Sequence, residues 1–85
     1  MSSQGLGERL SSTPLSKITI GKTVRLVSID GNRTLVRRLL SLGITPGVEM
    51  EVLHHRGQGV VIGRNGNRIA LGKGIVDKLH AVMVD

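Results

Sequence analysis

The sequence of 85 residues contains no cysteine, phenylalanine, tyrosine or tryptophan. Without cysteine, the chain forms neither a disulfide nor a thiolate metal site. Without aromatic residues, Val, Ile and Leu must supply the apolar area that aromatic side chains usually bury. A domain of this size with no cross-link is expected to be only modestly stable, and binding to a larger partner raises its stability by mass action.

Long apolar runs are also absent. No stretch approaches the roughly 18 residues that a membrane-spanning helix needs. Residues 1–13, MSSQGLGERLSST, lack the apolar segment of a signal peptide, so we expect a cytoplasmic location. The same residues are rich in Ser and Gly with no apolar period, which predicts a disordered tail followed by one domain over residues 14–85.

Acidic residues are scarce, with six Asp and Glu against twelve Lys and Arg, which gives a net charge of +6. Such an excess suits an acidic protein surface, an anionic membrane face or nucleic acid as a neighbour. It equally suits an ordinary solvated surface, so the charge alone does not choose a partner.

Residues 32–42 predict the one α-helix, because apolar residues recur there at helical spacing. Asp30 or Asn32 can cap its first amides. Gly43 can adopt the left-handed conformation that ends a helix, and Ile44 lies where a Schellman ending places an apolar contact back to the helix. The apolar stripe consists of Leu35, Val36, Leu39, Leu40 and Leu42.

Five short segments predict strands, at residues 23–29, 48–53, 60–64, 67–71 and 80–84, with a loop over residues 54–59. Pro46-Gly47 predicts a type II turn, and Asn65-Gly66 predicts a type I′ hairpin that sets Ile62 opposite Ile69. Residues 14–18 and 75–79 each allow one helical turn. Short strands and tight turns favour a small barrel or sandwich, and barrel closure would leave no open sheet edge.

Catalytic and metal-binding patterns are sparse. No nucleophile, base and orienting acid form a catalytic set, so we expect a protein that is not an enzyme. Imidazole suits Fe²⁺ or Zn²⁺, which makes His54, His55 and His80 candidate metal ligands, although no cofactor is required. Because His54 and His55 are adjacent, they point to opposite faces if they lie on a strand. The alternative is that all three are ordinary polar residues at loop edges.

Arginines mark a candidate partner-binding surface. Arg33 and Arg37 are four residues apart on the predicted helix and share one face, with Arg38 beside them. Arginine pairs with carboxylates of a partner through two hydrogen bonds. An ordinary solvated face is the alternative, and nucleic acid is not expected because single-strand recognition normally uses aromatic stacking. The candidate residues are Arg33, Arg37, Arg38 and Arg56, with Arg64 and Arg68 as further members.

Residues 37–47, RRLLSLGITPG, resemble the helix-and-turn segment of the ferrous iron transport protein A (FeoA) family. The following strand VEMEVL, the later strand RIALG and the apolar closing strand are also similar, so the resemblance covers residues 14–84. It implies a mainly β, SH3-like small barrel of about five strands with one short α-helix between the first and second strands. The same domain resembles the C-terminal module of some metal-dependent transcriptional repressors, but no DNA-binding helix pair precedes it here, so we expect the stand-alone form.

The resemblance also implies a function. We expect a small cytoplasmic accessory protein of ferrous iron uptake, held at the inner membrane by its partner, the ferrous iron transporter with its cytosolic GTP-binding domain. Family members often have a longer segment where this chain has residues 54–59, so no role of that segment carries over. The alternatives are a small basic barrel that binds RNA and a regulatory domain that binds a transition metal directly.

Overall fold

The computed structural model describes residues 12–84 as one antiparallel sheet with strand order β1-β6-β2-β3-β4-β5 and short helices between its strands. The strands are β1 (Thr13–Pro14), β2 (Thr23–Ile29), β3 (Glu49–Arg56), β4 (Gly59–Arg64), β5 (Asn67–Leu71) and β6 (Leu79–Met83). The helices are a 3-10 turn (Leu15–Lys17), α1 (Arg33–Ser41) and α2 (Lys73–Val76). No helix within residues 12–84 is long and apolar enough to span a membrane.

The predicted fold class is confirmed: the domain is mainly β, and its longest helix, α1, lies between its first two long strands. Two details differ from the prediction. The sheet has six strands, because Thr13 and Pro14 add a two-residue strand that pairs with Ala81 and His80. The sheet is also not closed, and among the described residues β1 and β5 are its edges.

The predicted disordered tail falls almost entirely outside the described residues. The structure describes only Ser12 and Thr13 of that segment, and Thr13 is part of β1. Asp85, the last residue of the predicted domain, also lies outside the described range.

The core is aliphatic, as the composition requires, and within residues 12–84 it contains no buried polar or charged side chain. Leu15 begins the 3-10 turn and Ile18 follows it, and both are buried, so the helical turn that residues 14–18 allow is present and packs on the core. Each helix and each of the strands β2 to β6 contributes to this core. Its buried members are Leu15, Ile18, Val24, Leu26, Leu39, Ile44, Met50, Val52, Val60, Ile62, Leu71, Val76, Leu79 and Ala81.

Helix α1 is bounded by the signals that its sequence carries. The side chain of Asn32 accepts a hydrogen bond from the Leu35 amide at 2.9 Å. Gly43 has φ +80°, and the Ile44 amide donates to the Leu39 carbonyl at 2.9 Å, which completes a Schellman ending. The ending turns the chain back on itself and buries Ile44 beside Leu39.

Two further turns fix the strand registers. The Val48 amide donates to the Thr45 carbonyl at 3.2 Å around Pro46-Gly47, and Gly47 has φ +99°, as a type II turn requires. Asn65 and Gly66 have φ of 53° and 81°, the two positive values of a type I′ turn. Ile62 therefore faces Ile69 across the β4–β5 hairpin.

The predicted loop at residues 54–59 is wrong in extent. Strand β3 continues to Arg56, and only Gly57 and Gln58 remain as the turn before β4. The register of β3 on β4 shifts between Val52 and His54, so Leu53 is an extra, bulged residue. Because a bulge reverses the alternation of faces, His54 faces outward opposite Val61, whereas His55 lies on the core side opposite Val60.

Candidate protein-binding surface

Helix α1 buries much less of its apolar surface than its sequence predicts. Leu39 is fully buried and Leu35 is half-buried, whereas Val36 is 37% and Leu40 is 58% exposed. Leu42, just beyond the helix, is 46% exposed. The apolar periodicity correctly predicted the helix, but it did not predict how many of its apolar side chains the sheet buries.

The exposed aliphatic residues of α1 alternate with its arginines. Arg33, Val36, Arg37 and Leu40 occupy positions i, i+3, i+4 and i+7, so they form one continuous stripe on the helix. We call these four residues the α1 surface. Arg38 lies about 100° around the helix from Arg37, at the margin of this stripe.

Within residues 12–84, no acidic side chain forms an ion pair with the arginines of the α1 surface. Helix α1 contains no Asp or Glu. Across residues 12–84 a single ion pair is found, between Lys73 Nζ and Asp77 Oδ2 at 2.9 Å. Arg33 and Arg37 are exposed and are therefore available to carboxylates of another molecule.

The structure separates Arg56 from the helical arginines. Arg64, at the end of β4, donates from Nε to the Gly43 carbonyl at 2.9 Å and from Nη1 to the Glu49 carbonyl at 3.3 Å. Arg64 thus joins the end of α1 to the sheet and has a structural task. Arg56 pairs with Gly59, which begins β4. It therefore lies about 17 Å along the strand from Arg64, the residue that contacts the end of α1.

Arg56 belongs instead to a second basic surface, on the outer side of the β3–β4–β5 sheet. Opposite residues of antiparallel strands share a face, so the row His54, Val61 and Ala70 lies on this side. Arg56 and Arg68, each two residues from a member of that row, project on the same side. We call Arg56, Arg68 and His54 the basic sheet face, and it borders an open cleft of about 530 Å³.

The three candidate metal ligands do not come together. His55 Nε2 donates to the Ile18 carbonyl at 2.7 Å, whereas His54 lies on the opposite side of β3. His80 lies on β6, where it pairs with Pro14 and Ser28. Over residues 12–84, no three His, Asp or Glu side chains lie close enough to hold one metal ion. The histidine positions therefore give the metal hypothesis no geometric support within this range.

A smaller cleft, of about 280 Å³, lies between His55, the β3–β4 turn and α2. Asp77 borders it, and the hydrogen bond from Lys73 lowers the pKa of its carboxyl group below the ordinary value. Both side chains of this pair are largely exposed, so it is a solvated pair at the end of α2.

The chain is similar to proteins of one family over almost its whole described length. The family model of the FeoA domain matches residues 13–82. A protein of Methanocaldococcus jannaschii named "Putative Fe(2+) transport protein A" is 32% identical over 66 residues, which are 78% of this chain and 80% of that protein. The similarity therefore spans most of two proteins of similar length.

Solved structures agree with this assignment. The crystal structure of an iron uptake regulatory protein, FeoA, is 32% identical, with a TM-score of 0.77 over 86% of this chain and 97% of that one. A manganese-dependent transcriptional repressor matches with the same TM-score at 21% identity, over 86% of this chain but 42% of that one, and shows the fold alone. The predicted SH3-like fold class is thus confirmed, and the chain belongs to the FeoA domain family.

Proposed function

We propose that this protein is an accessory or regulatory component of ferrous iron transport, which acts in the cytoplasm by binding the cytosolic part of the ferrous iron transporter. Membership of the FeoA domain family and the similarity to a protein named for Fe²⁺ transport support the pathway. The observation that carries the binding role is the α1 surface, where exposed aliphatic side chains alternate with unpaired arginines. A docking role needs no catalytic residues and no bound cofactor.

The chemistry of the α1 surface suits an acidic, amphipathic face of the partner. Covering Val36 and Leu40 removes apolar surface from water, and full burial of one such side chain contributes roughly 1.5–3 kcal/mol. Arg33 and Arg37 flank these residues, and each can form two parallel hydrogen bonds with a carboxylate. The aliphatic pair therefore supplies affinity, while the arginines select an acidic partner and fix its orientation.

The test is calorimetric titration of the purified cytosolic part of the transporter with wild-type protein and the double variant Arg37→Glu, Leu40→Ser. We expect at least a tenfold weaker Kd for the variant, because it removes an apolar contact and reverses a charge at the centre of the surface. The single variant Arg38→Glu is expected to weaken binding less, because Arg38 lies at the margin of the stripe.

The matched control is Ile20→Ser with Lys22→Glu, which changes an exposed aliphatic residue and an exposed cation far along the chain from α1. Its Kd should stay within twofold of the wild-type value. If the α1 variant binds as tightly as this control, the α1 surface is not the docking site. If wild-type protein shows no binding at all, the partner itself is wrong.

A further inference from the structure

The two edges of the sheet are protected very differently. Strand β1 has only two residues, and one of them, Pro14, has no amide hydrogen to offer a neighbour. Strand β5 has five residues in regular register with β4, without proline or bulge. Natural proteins often shield an edge strand by shortness, proline or a bulge, and within residues 12–84 β5 is the edge that has none of these three features.

The register shows which groups this edge presents. In a hairpin closed by a two-residue turn, the flanking residues form a hydrogen-bonded pair, and such pairs then alternate along the strands. Asn67, Ile69 and Leu71 therefore bond to β4, whereas the amide and carbonyl groups of Arg68 and Ala70 point away from it. No backbone hydrogen bond to these groups is formed by another element within residues 12–84. The edge thus offers two amide donors and two carbonyl acceptors at strand spacing.

The side chains beside this edge are basic. Arg68 lies on the edge strand itself, whereas Arg56 and His54 lie on β3, two strands away, and line the same cleft. The floor between them is formed by Val61 and the small side chain of Ala70, so little obstructs an incoming chain. Of the residues within 12–84 that line this cleft, none is acidic.

We propose that the β5 edge binds an extended, acidic segment of a partner protein, which adds to the sheet as a further strand. Its backbone forms up to four hydrogen bonds with Arg68 and Ala70, as in other cases of strand addition. Carboxylates of that segment lie opposite Arg68, where a cross-strand pair of opposite charge stabilises the pairing. This site is separate from the α1 surface, and the inference does not depend on the proposed role in iron transport.

A second copy of this chain is a less suitable occupant. Two β5 strands can pair in an antiparallel arrangement in which the free amide and carbonyl groups of Arg68 and Ala70 are all hydrogen-bonded. In this arrangement Arg68 lies opposite Ala70 of the copy. The two Arg68 side chains then lie on one face as diagonal neighbours, roughly 7–8 Å apart. With Arg56 on the same face, this arrangement concentrates positive charge, and no acidic residue within residues 12–84 lines the cleft to offset it.

The experiment uses a capped seven-residue peptide of alternating glutamate and threonine, added in increasing amounts to ¹⁵N-labelled protein. Hydrogen exchange followed by NMR should show the Arg68 and Ala70 amides slowed at least fivefold at saturation. The Leu26 and Val52 amides, which already bond to Val48 and Lys22, serve as the internal reference and should not change. Unchanged exchange at Arg68 and Ala70 with saturating peptide overturns the proposal.

Two modified peptides separate strand addition from simple charge attraction. Alternate amides of a strand point to opposite edges, so N-methylation of one alternate set blocks one edge of the peptide. Methylation of the set that faces β5 should abolish binding, whereas methylation of the set that faces solvent should not. If both methylated peptides bind like the parent, the contact is purely electrostatic and the proposal is wrong. The lysine counterpart of the peptide should not bind.

Two protein variants complete the test. Arg68→Glu should weaken the peptide Kd at least tenfold, whereas Arg33→Glu, an equal charge change on α1, should leave it within twofold. Equal weakening by both variants contradicts a specific site at the β5 edge. Slow exchange of Arg68 and Ala70 in a dimer of the free protein also overturns the proposal, because a second copy would then occupy the edge.

Discussion

His54 and His55 are neighbours in sequence but have different tasks in the structure. The bulge at Leu53 turns His54 outward onto the basic sheet face and sets His55 against the chain that follows the 3-10 turn. His55 donates to the Ile18 carbonyl and so joins β3 to the segment that carries two buried core residues. Both histidines are exposed, but His55 also joins two elements of the fold through its hydrogen bond.

We expect His55→Ala to lower the free energy of unfolding by about 1 kcal/mol, the usual net contribution of one hydrogen bond. His54→Ala is the matched control, because it removes the same side chain from the adjacent position and both positions are exposed. Urea unfolding monitored by far-ultraviolet circular dichroism measures both. Equal stability of the two variants would show that the bond to Ile18 contributes nothing.

The bulge itself could not be read from the sequence. Bulges are often marked by glycine, but Leu53 and the histidines after it carry no such signal. The prediction that the two histidines point to opposite faces if they lie on a strand agrees with the structure, but which of them faces outward depends on the bulge and could not be predicted. The strictly local turn residues were predicted.

At the level of elements, α1 is held by its ends more than by its buried face. Asn32 caps its first turn, Gly43 ends it, and Arg64 donates to the carbonyl of that same glycine. Only Leu39 is fully buried between these points. This division leaves the remaining aliphatic residues of the helix exposed and available for binding.

Replacement of the terminating glycine tests this account. Gly43→Ala should destabilise the protein by about 1–2 kcal/mol, because a residue with a β-carbon resists positive φ. The cost is conformational and not a clash, since an added Cβ would lie 3.6 Å from Arg64 Nε, an ordinary contact. Thermal unfolding of this variant measures the loss.

Gly74→Ala is the control for that measurement. Gly74 lies in α2 with open space around its α-carbon, so alanine should leave the stability unchanged or raise it slightly. A Gly43→Ala protein as stable as Gly74→Ala would show that the left-handed ending does not hold the helix.

Sequence periodicity identified α1, but it could not give the depth of its burial. The five apolar residues of the predicted stripe span more of the helix circumference than a sheet of short strands can cover. Which of them remain outside depends on the angle at which the helix approaches the sheet, a property of the packed domain. The exposure of Val36 and Leu40 therefore emerged only from the structure.

At the scale of the whole molecule, the order of elements and the principal turns were predicted and the edges were not. Local signals such as Asn65-Gly66 and Pro46-Gly47 determine the turns, because their φ requirements act within a few residues. Whether a sheet closes into a barrel depends on hydrogen bonding between its two edge strands, which are far apart in sequence. The open β5 edge, and the separation of Arg56 from α1, are therefore properties of the complete fold.

The excess positive charge predicts a salt dependence of stability. With a net charge of +6 and one ion pair within residues 12–84, repulsion between like charges opposes folding. Sodium chloride screens this repulsion, so Tm should rise between roughly 0.01 M and 0.15 M salt, as the Debye length falls from about 30 Å to 8 Å. Differential scanning calorimetry measures the change.

The variant Arg37→Glu, Arg38→Glu is the control for the charge argument. Loss of two positive charges and gain of two negative charges reduces the net charge from +6 to +2. Its Tm should depend less on salt than that of the wild type. A salt dependence as steep as that of the wild type would assign the effect to general solvation and not to charge repulsion.

The all-aliphatic core has a practical consequence for spectroscopy. A chain without tryptophan or tyrosine has almost no absorption at 280 nm and no intrinsic fluorescence, so optical signals from a mixture report on the binding partner alone. The same core is dense in Leu, Ile and Val methyl groups, which are well suited as NMR labels in large assemblies. In a complex with a much larger molecule, this domain is therefore optically silent, while its interior remains directly observable.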